Sequence, residues 1–259
     1  MKRRAVGAMC LLAGLAAGAL PAETVVVRHA EGLVRGFLVL RSPDGAFLAS
    51  GDLIQTSRGD RVTSRLVFHF KDGSVQDETA VFTQSGRFRL LTDHMIQRGP
   101  TFPHPMEVSI DAVGGRVTVR YRDDDGKEKT TEEPMSLPPD LANGIVLTLL
   151  KNIPPDAAST EVSLLAATPK PRLVKLVITR AGEDSFSAGG ASHRATRFNV
   201  KVELGGLAGL IAPLIGKQPH DTSVWIFEGE APGFVRSEGQ MYQGGPLWRI
   251  ELASPVWPR

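Results

Sequence analysis

The sequence predicts a mainly β protein: a strongly curved antiparallel sheet, or half-barrel meander, with one buried apolar helix at about 140–151. Three observations support this fold class. Apolar and polar residues alternate with a period of two over much of the chain. Turn dipeptides interrupt this alternation repeatedly. A single segment shows helical spacing of its apolar residues.

The turn dipeptides contain glycine, which reaches the positive φ of tight hairpins without steric cost. They are Asp44-Gly45, Gly59-Asp60, Asp72-Gly73, Ser85-Gly86, Gly114-Gly115 and Asp125-Gly126. Their spacing favours long hairpin strands. We expect roughly six strands between Leu33 and Gln97, roughly two or three between Met106 and Thr131, and roughly five or six after Glu161.

The alternation is clearest in three segments, 61–70, 116–122 and 197–204. In the last of these the apolar residues are Phe198, Val200, Val202 and Leu204. Because successive side chains of a strand face opposite sides, each segment has one buried face and one wet face.

One segment breaks this pattern. Leu141, Ile145 and Leu149 recur at helical spacing between two proline pairs, and Asp140 can cap the N-terminus. The helix is apolar on most of its surface, so we expect it to be buried in the hollow of the sheet. A single domain over 23–259 follows, because the helix needs strands from both sides to cover it. A sub-boundary near 152–160 is the alternative.

The first residues have the layout of a secretory signal peptide. Lys2, Arg3 and Arg4 precede an apolar run that ends in small residues. The run is shorter than the roughly 20 residues needed to span a bilayer. We expect residues 1–22 to be a signal peptide, cleaved after Ala19 or Ala22, and the mature chain to be periplasmic or secreted.

The composition of the mature chain excludes several classes of function. The only cysteine, Cys10, lies in the predicted signal, so disulfides and thiolate chemistry are excluded. Removing residues 1–22 takes three of the 30 basic residues and none of the 28 acidic ones, which leaves the chain close to neutral. We therefore expect no nucleic-acid partner. No later segment is long and apolar enough to predict a membrane span.

His94 is the most interesting titratable residue. Alternation places it on the same face as Leu90 and Ile96, which predicts an imidazole on the buried side. It is either a core histidine or a general base paired with a carboxylate such as Asp93 or Glu78. No histidine spacing is typical of a metal site, and no nucleophile or phosphate-binding motif occurs. We therefore expect no metal and no cofactor, and catalytic residues stay unassigned.

Two further segments are candidate ligand contacts. Three prolines stiffen 98–105 and display Phe102 and His104. This segment is either a rigid crossover or the rim of a binding cleft. An apolar stretch at 205–216 is either a flap on the core or a lip that contacts a lipid or a partner protein. Its apolar residues are Leu207, Leu210, Ile211, Leu214 and Ile215.

The second half of the chain resembles a family of exported bacterial β-sheet proteins of unknown function. The resemblance rests on the strand 197–204, Gly205-Gly206-Leu207, the run 212–219, Val224-Trp225-Ile226 and the run 234–239. It implies a strongly curved sheet around a helix, similar to the Lol-type lipoprotein carriers, which hold acyl chains in a hollow. It carries no catalytic residue over to this chain. The apolar helix departs from a carrier, because it can fill the hollow.

These observations predict an exported binding or scaffold module of the cell envelope, with lipid binding as one form of it. Its partner would be an apolar small molecule or an envelope protein. The alternatives are a hydrolase-type enzyme that uses His94, and a structural protein with a filled core. The sequence does not identify the ligand or the oligomeric state.

Overall fold

Nearly every strand pairs with its neighbours along the chain, so the fold is a succession of antiparallel hairpins. The computed structural model describes residues 24–123, 125–188, 190–204 and 219–253. They form one fourteen-stranded sheet. Its strands are β1 (Val34–Arg41), β2 (Phe47–Arg58), β3 (Arg61–Phe70), β4 (Val75–Ser85), β5 (Arg87–Arg98), β6 (Met106–Asp111), β7 (Arg116–Arg122), β8 (Glu128–Pro134), β9 (Ser159–Ala166), β10 (Arg172–Ala188), β11 (Ala191–Glu203), β12 (Thr222–Phe227), β13 (Gly233–Gln240) and β14 (Leu247–Leu252). The short helix α1 is Val146–Leu150.

The sheet has two halves, β1–β8 and β9–β14, which the pairing of β1 with β14 joins. Its free edges are therefore β8 and β9, which do not pair with each other. Side chains from both halves enter one core: Val117 and Val119 from β7 meet Val162 from β9 and Leu176 from β10. The sheet is therefore strongly curved and unclosed, which confirms the predicted fold class.

The predicted alternation is confirmed in all three segments. In β7, for example, Val117 and Val119 are fully buried, whereas Arg116 and Arg120 are exposed. The predicted number of strands before Gln97 was too high by about one. Five strands cover this part, because β2 to β5 each run for 10 to 12 residues.

The predicted helix at 140–151 is shorter than expected, because its first residues join the edge of β9 instead. The Ala142 amide donates to the Ser163 carbonyl at 2.8 Å, and the Ser163 amide donates to the Asp140 carbonyl at 3.3 Å. The Asp140 carboxylate accepts from the Ser163 hydroxyl at 3.0 Å and does not cap a helix. Gly144 then takes a positive φ of 67°, and α1 begins only after Ile145.

The predicted burial of this segment is confirmed. We call residues 140–153 the plug segment. Its apolar side chains pack in the same core as both halves of the sheet, and the most buried are Leu141, Ala142, Ile145, Leu149 and Leu150. The plug segment enters from the end of the hollow where β8 finishes and β9 starts. We call this end the plug end.

The N-terminal segment (24–31) covers the plug end from outside. Asn152 is fully buried there, and its Oδ1 accepts from the amides of Arg28 and His29 at 2.8 and 2.7 Å. The Val27 amide donates to the Gly86 carbonyl at 2.9 Å. The segment therefore ties the plug to the hairpin between β4 and β5.

Glu31 holds the end of this segment through a buried polar cluster. One carboxylate oxygen accepts from Gln55 Nε2 at 2.8 Å, and the other pairs with Lys151 at the end of α1. The Glu31 amide donates to Gln84 Oε1 at 2.6 Å. Because a buried carboxylate is stable only when it is paired and hydrogen-bonded, this cluster fixes the N-terminal segment against plug and sheet.

A substitution at Gly144 tests how closely the plug segment packs against the sheet. A methyl group at this position would lie 2.6 Å from Ala80 Cβ and 2.7 Å from Asp93 Oδ1, and the positive φ adds strain. We expect Gly144→Ala to lower the free energy of unfolding by about 3–5 kcal/mol. The matched control is Gly126→Ala in the hairpin between β7 and β8, where φ is 75° and no atom lies within 4 Å. That change should cost about 1 kcal/mol. Chemical denaturation measures both, and equal losses would contradict the close packing.

Candidate functional site

A cavity of about 720 Å³ lies at the end of the hollow opposite the plug. It is bordered by the last residues of β5, β7, β9, β11 and β13 and by the first residues of β6, β10 and β12. Because neighbouring strands are antiparallel, these ends all meet at one edge of the sheet. The volume falls within the roughly 300–1,000 Å³ that is usual for small-molecule sites. We call this end the cavity end.

The wall of the cavity is mainly apolar and comes from both halves of the sheet. Its side chains occupy inward strand positions beyond the last core residues, and they include Met95, Met106, Tyr121, Leu164, Val174 and Val202. Methionine is flexible and polarisable, so it adapts to apolar ligands of irregular shape. The arrangement can take up an apolar group and exclude water from it.

The mouth of the cavity is polar. Arg122, Arg172, His104 and His220 lie around it, together with Asp123. Arg122 lies 3.7 Å from Glu128, and Asp123 lies 3.6 Å from Lys129, so two of these charges have partners. The mouth can therefore contact a polar group of a bound molecule while the wall holds its apolar part.

Phe102 forms part of this site, although its side chain is buried and not displayed as the sequence predicts. Its ring packs edge-on against Phe70 at 5.4 Å and against Tyr242 at 5.6 Å between ring centroids. The proline-rich segment crosses the cavity end between β5 and β6 and holds this aromatic cluster in place. His104 is exposed, and both residues line the cavity. Their role in ligand binding stays a prediction.

His94 lies on the outer face of the sheet, so the predicted buried position is wrong. The cause is a β-bulge: Val81 pairs with Thr92 but Phe82 pairs with Leu90, which leaves Leu91 as an extra residue. A one-residue insertion reverses the face of every residue beyond it.

Outside the sheet, His94 forms a surface cluster. Its Nε2 lies 2.9 Å from Glu107 Oε1, and Arg120 reaches the same oxygen at 3.2 Å. The hydrogen bond from His94 is the largest cause of a lowered pKa of Glu107. His94 does not line the cavity, and the sheet separates it from Asp93 and from Glu78. His94 therefore lies beside a carboxylate, Glu107, but on the outer face, away from the cavity and from the two carboxylates named in the hydrolase alternative.

The same bulge turns Asp93 inward, where the side chain is only 3% exposed. Its Oδ1 has no hydrogen-bond partner among the described residues. Glu78 on β4 also faces inward, opposite Met95 of the cavity wall. Burial raises the pKa of Glu78 to about 7. Burial, followed by the charge of Glu78, raises the pKa of Asp93 well above its ordinary value.

The alternation of apolar and polar residues did not predict this pair of inward carboxyl groups. Asp77, the residue before Glu78, faces outward, where Arg65 Nη2 donates to its Oδ2 at 2.6 Å. The available signal was the phase of β4: Glu78 is in phase with Ala80 and Phe82, which are buried. No comparable signal existed for Asp93, because the bulge is not visible in the sequence.

The apolar stretch at 205–216 lies outside the described residues, and so do its candidate contacts Leu207, Leu210, Ile211, Leu214 and Ile215. Leu204 and Pro219, the nearest described residues on either side, both line the cavity.

Two searches of the described residues bear on other kinds of site. No helix in this part of the chain has the length and hydropathy to cross a membrane. No group of three or more histidine, aspartate or glutamate side chains there could hold a metal ion.

The fold and the cavity define a β-barrel-like protein with an unclosed sheet, plugged at one end and hollow at the other. No protein-family model matches the chain, and no curated protein matches it either. Among solved structures, it is similar to the crystal structure of a β-barrel-like protein of domain of unknown function DUF1849 from Brucella abortus. The identity is 9% and the TM-score 0.48, and the match covers 89% of this chain and 100% of the other.

The raised pKa of Glu78 predicts how stability depends on pH. Below about pH 4.5 the carboxyl is protonated in both states. As pH rises to about 7, the unfolded chain releases its proton first, so the folded state loses stability over this window. Glu78→Gln should therefore match the parent near pH 4.5 and exceed it near pH 8 by up to about 3 kcal/mol.

Urea denaturation at several pH values measures this difference. Asp77→Asn is the matched control on the outer face. Hydrogen bonds from Arg65 lower the pKa of Asp77, so this variant should lose stability at neutral pH. A Glu78→Gln variant with the same pH dependence as the parent would contradict the burial of this carboxyl.

Proposed function

We propose that this chain is an exported binding protein of the bacterial cell envelope whose cavity takes up an apolar molecule. The observation that carries the proposal is the cavity of about 720 Å³ with an apolar wall, at the one end of the hollow that the plug segment leaves open. Sites that bind small molecules are concave and mostly apolar, with a few polar groups that orient the ligand.

The contrast between the two ends of the hollow supports this proposal. Protein interiors are packed to nearly crystalline density, and voids larger than a water molecule are few. At the plug end, Leu141, Ile145 and Leu150 fill the space between the two halves of the sheet. At the cavity end, apolar side chains from the same two halves remain apart. A bound apolar group would restore at this end the contacts that the plug supplies at the other.

An apolar group attached to an envelope protein would enter the same cavity, so a small molecule and a lipid-modified partner share one mode of binding. The hydrolase alternative is not proposed, because His94 lies outside the cavity, where it contacts Glu107, which also binds Arg120.

The envelope location rests on residues 1–22 and has its own test. In a bacterial host, protein recovered from the periplasmic fraction should begin at Leu20 or Glu23, as read by N-terminal sequencing. Replacing Lys2, Arg3 and Arg4 with Asp should hold most of the chain in the cytoplasm. Full-length protein in the cytoplasm of cells that express the unchanged chain would overturn the proposed export.

Filling the cavity should abolish binding of an apolar probe. Ala166, the last residue of β9, is partly exposed and lines the cavity. We expect Ala166→Trp to weaken binding of the neutral dye N-phenylnaphthylamine at least about tenfold, because the indole occupies the space of the dye. Dye fluorescence measures the affinity, and a denaturation curve shows that the fold is kept.

The matched control is Leu173→Trp. Leu173 follows Arg172, the residue of β10 that pairs with Ala166. It faces outward and is 38% exposed, so the Leu173→Trp variant should bind the dye like the parent. A parent protein that does not bind the dye, or an Ala166→Trp variant that binds it normally, would overturn the proposal.

A further inference from the structure

We infer that the ligand of this cavity is an anionic amphiphile, with its acidic group on Arg172 at the mouth and its apolar chain along the methionines of the wall. This inference rests on the proposed function and adds the chemical class of the ligand.

Two basic residues of β10, Arg180 and Arg172, are in phase with the buried face of that strand. Arg180 pairs with Glu228, so the residue of interest at the mouth is Arg172. It is in phase with Val174, Leu176 and Ile178, which are all buried. Because alternate strand residues share a face, Arg172 belongs to the inner surface of the sheet. It is the first residue of β10, so its guanidinium lies where the inner surface meets solvent, and it lines the cavity.

The guanidinium of Arg172 makes no ion pair or hydrogen bond with the described part of the chain. Basic residues elsewhere on β10 do have acidic partners. Lys175 Nζ donates to Glu161 Oε2 at 2.8 Å, and Arg180 pairs with Glu228. A basic side chain at an inward position without a carboxylate next to it leaves its donors free for a ligand.

The surroundings of Arg172 also favour an anion. His104 and His220 stand at the same mouth, and the one described acidic side chain that lines the cavity, Asp123, already lies 3.6 Å from Lys129. Among the described residues of the site, no carboxylate therefore compensates the positive charge of Arg172. A neutral or cationic apolar ligand would leave it unused.

The chemistry of the two zones specifies the ligand. A guanidinium binds a carboxylate or a phosphate through two parallel hydrogen bonds, which makes it selective for these planar or tetrahedral anions. Met95 and Met106 lie in the wall below the mouth and suit a flexible hydrocarbon chain. A molecule with one acidic group and one apolar chain satisfies both zones.

The test compares probes that differ only in the head group. Palmitate and hexadecanol are each titrated against N-phenylnaphthylamine bound to the full mature chain, and displacement of the dye measures their affinities. Hexadecyl phosphate, titrated in the same way, distinguishes a phosphate head group from a carboxylate. We expect palmitate or hexadecyl phosphate to bind about tenfold more tightly than hexadecanol. Arg172→Ala should remove this difference and leave hexadecanol binding unchanged, and Arg172→Lys should restore part of it.

Lys175→Ala is the control, because Lys175 lies on the same strand but faces outward. It should bind all three probes like the parent. Equal affinity of the parent for the acids and the alcohol, or an Arg172→Ala variant that keeps the preference for the acids, would overturn this inference while dye binding upholds the cavity. Absence of dye binding to the parent would overturn the cavity proposal together with it.

Discussion

The edges β8 and β9 of the fourteen-stranded sheet do not pair with each other, so the sheet does not close on itself. Its apolar inner face must therefore be buried by another part of the chain. The plug segment meets this constraint, and it packs so closely on the sheet at Gly144 that a Cβ there would lie 2.6 Å from Ala80 Cβ. The chain that joins the two free edges is therefore also the chain that fills the hollow. Burial of the plug, curvature of the sheet and position of the cavity are consequences of this one connection.

Much of the fold could be predicted from the sequence, because alternation depends only on local geometry. Val62 on β3, Val117 on β7 and Phe198 on β11 are all buried on the faces that the pattern predicts. The prediction failed where pairing with a neighbouring strand decides the outcome. Leu91 shifts the register of β5, and Ser163 draws the first residues of the predicted helix onto the edge of β9. No local sequence pattern predicts either the bulge or the pairing with β9.

The candidate site was predictable only in part, for the same reason. Phe102 was singled out because its flanking prolines are a local feature, and it does line the cavity. Arg172 and Met106 lie far apart in sequence and meet only because the sheet curves. No period in the sequence encodes that curvature. The role proposed for Arg172 depends on its having no partner among the described residues, and only the three-dimensional arrangement shows this.

Charge is distributed differently over the two faces of the sheet. Outside, basic and acidic side chains of adjacent strands pair, as Arg65 does with Asp77 and Arg120 with Glu107. Such exposed pairs contribute little to stability, but they keep the outer face soluble and its charges compensated.

On the inner face, three ionisable groups are not compensated in this way by described residues: Asp93, Glu78 and Arg172. Burial raises the pKa of Asp93 and of Glu78 and so favours their neutral forms, and Arg172 at the mouth makes no ion pair with the described residues. Along the axis of the hollow, the ionisable groups thus change from neutral carboxyl groups deep inside to a positively charged arginine at the mouth. The proposed ligand would therefore place its apolar part in the depth of the cavity and its acidic group at the rim. The same curvature that buries the plug therefore also brings together the two halves of the sheet that line the cavity.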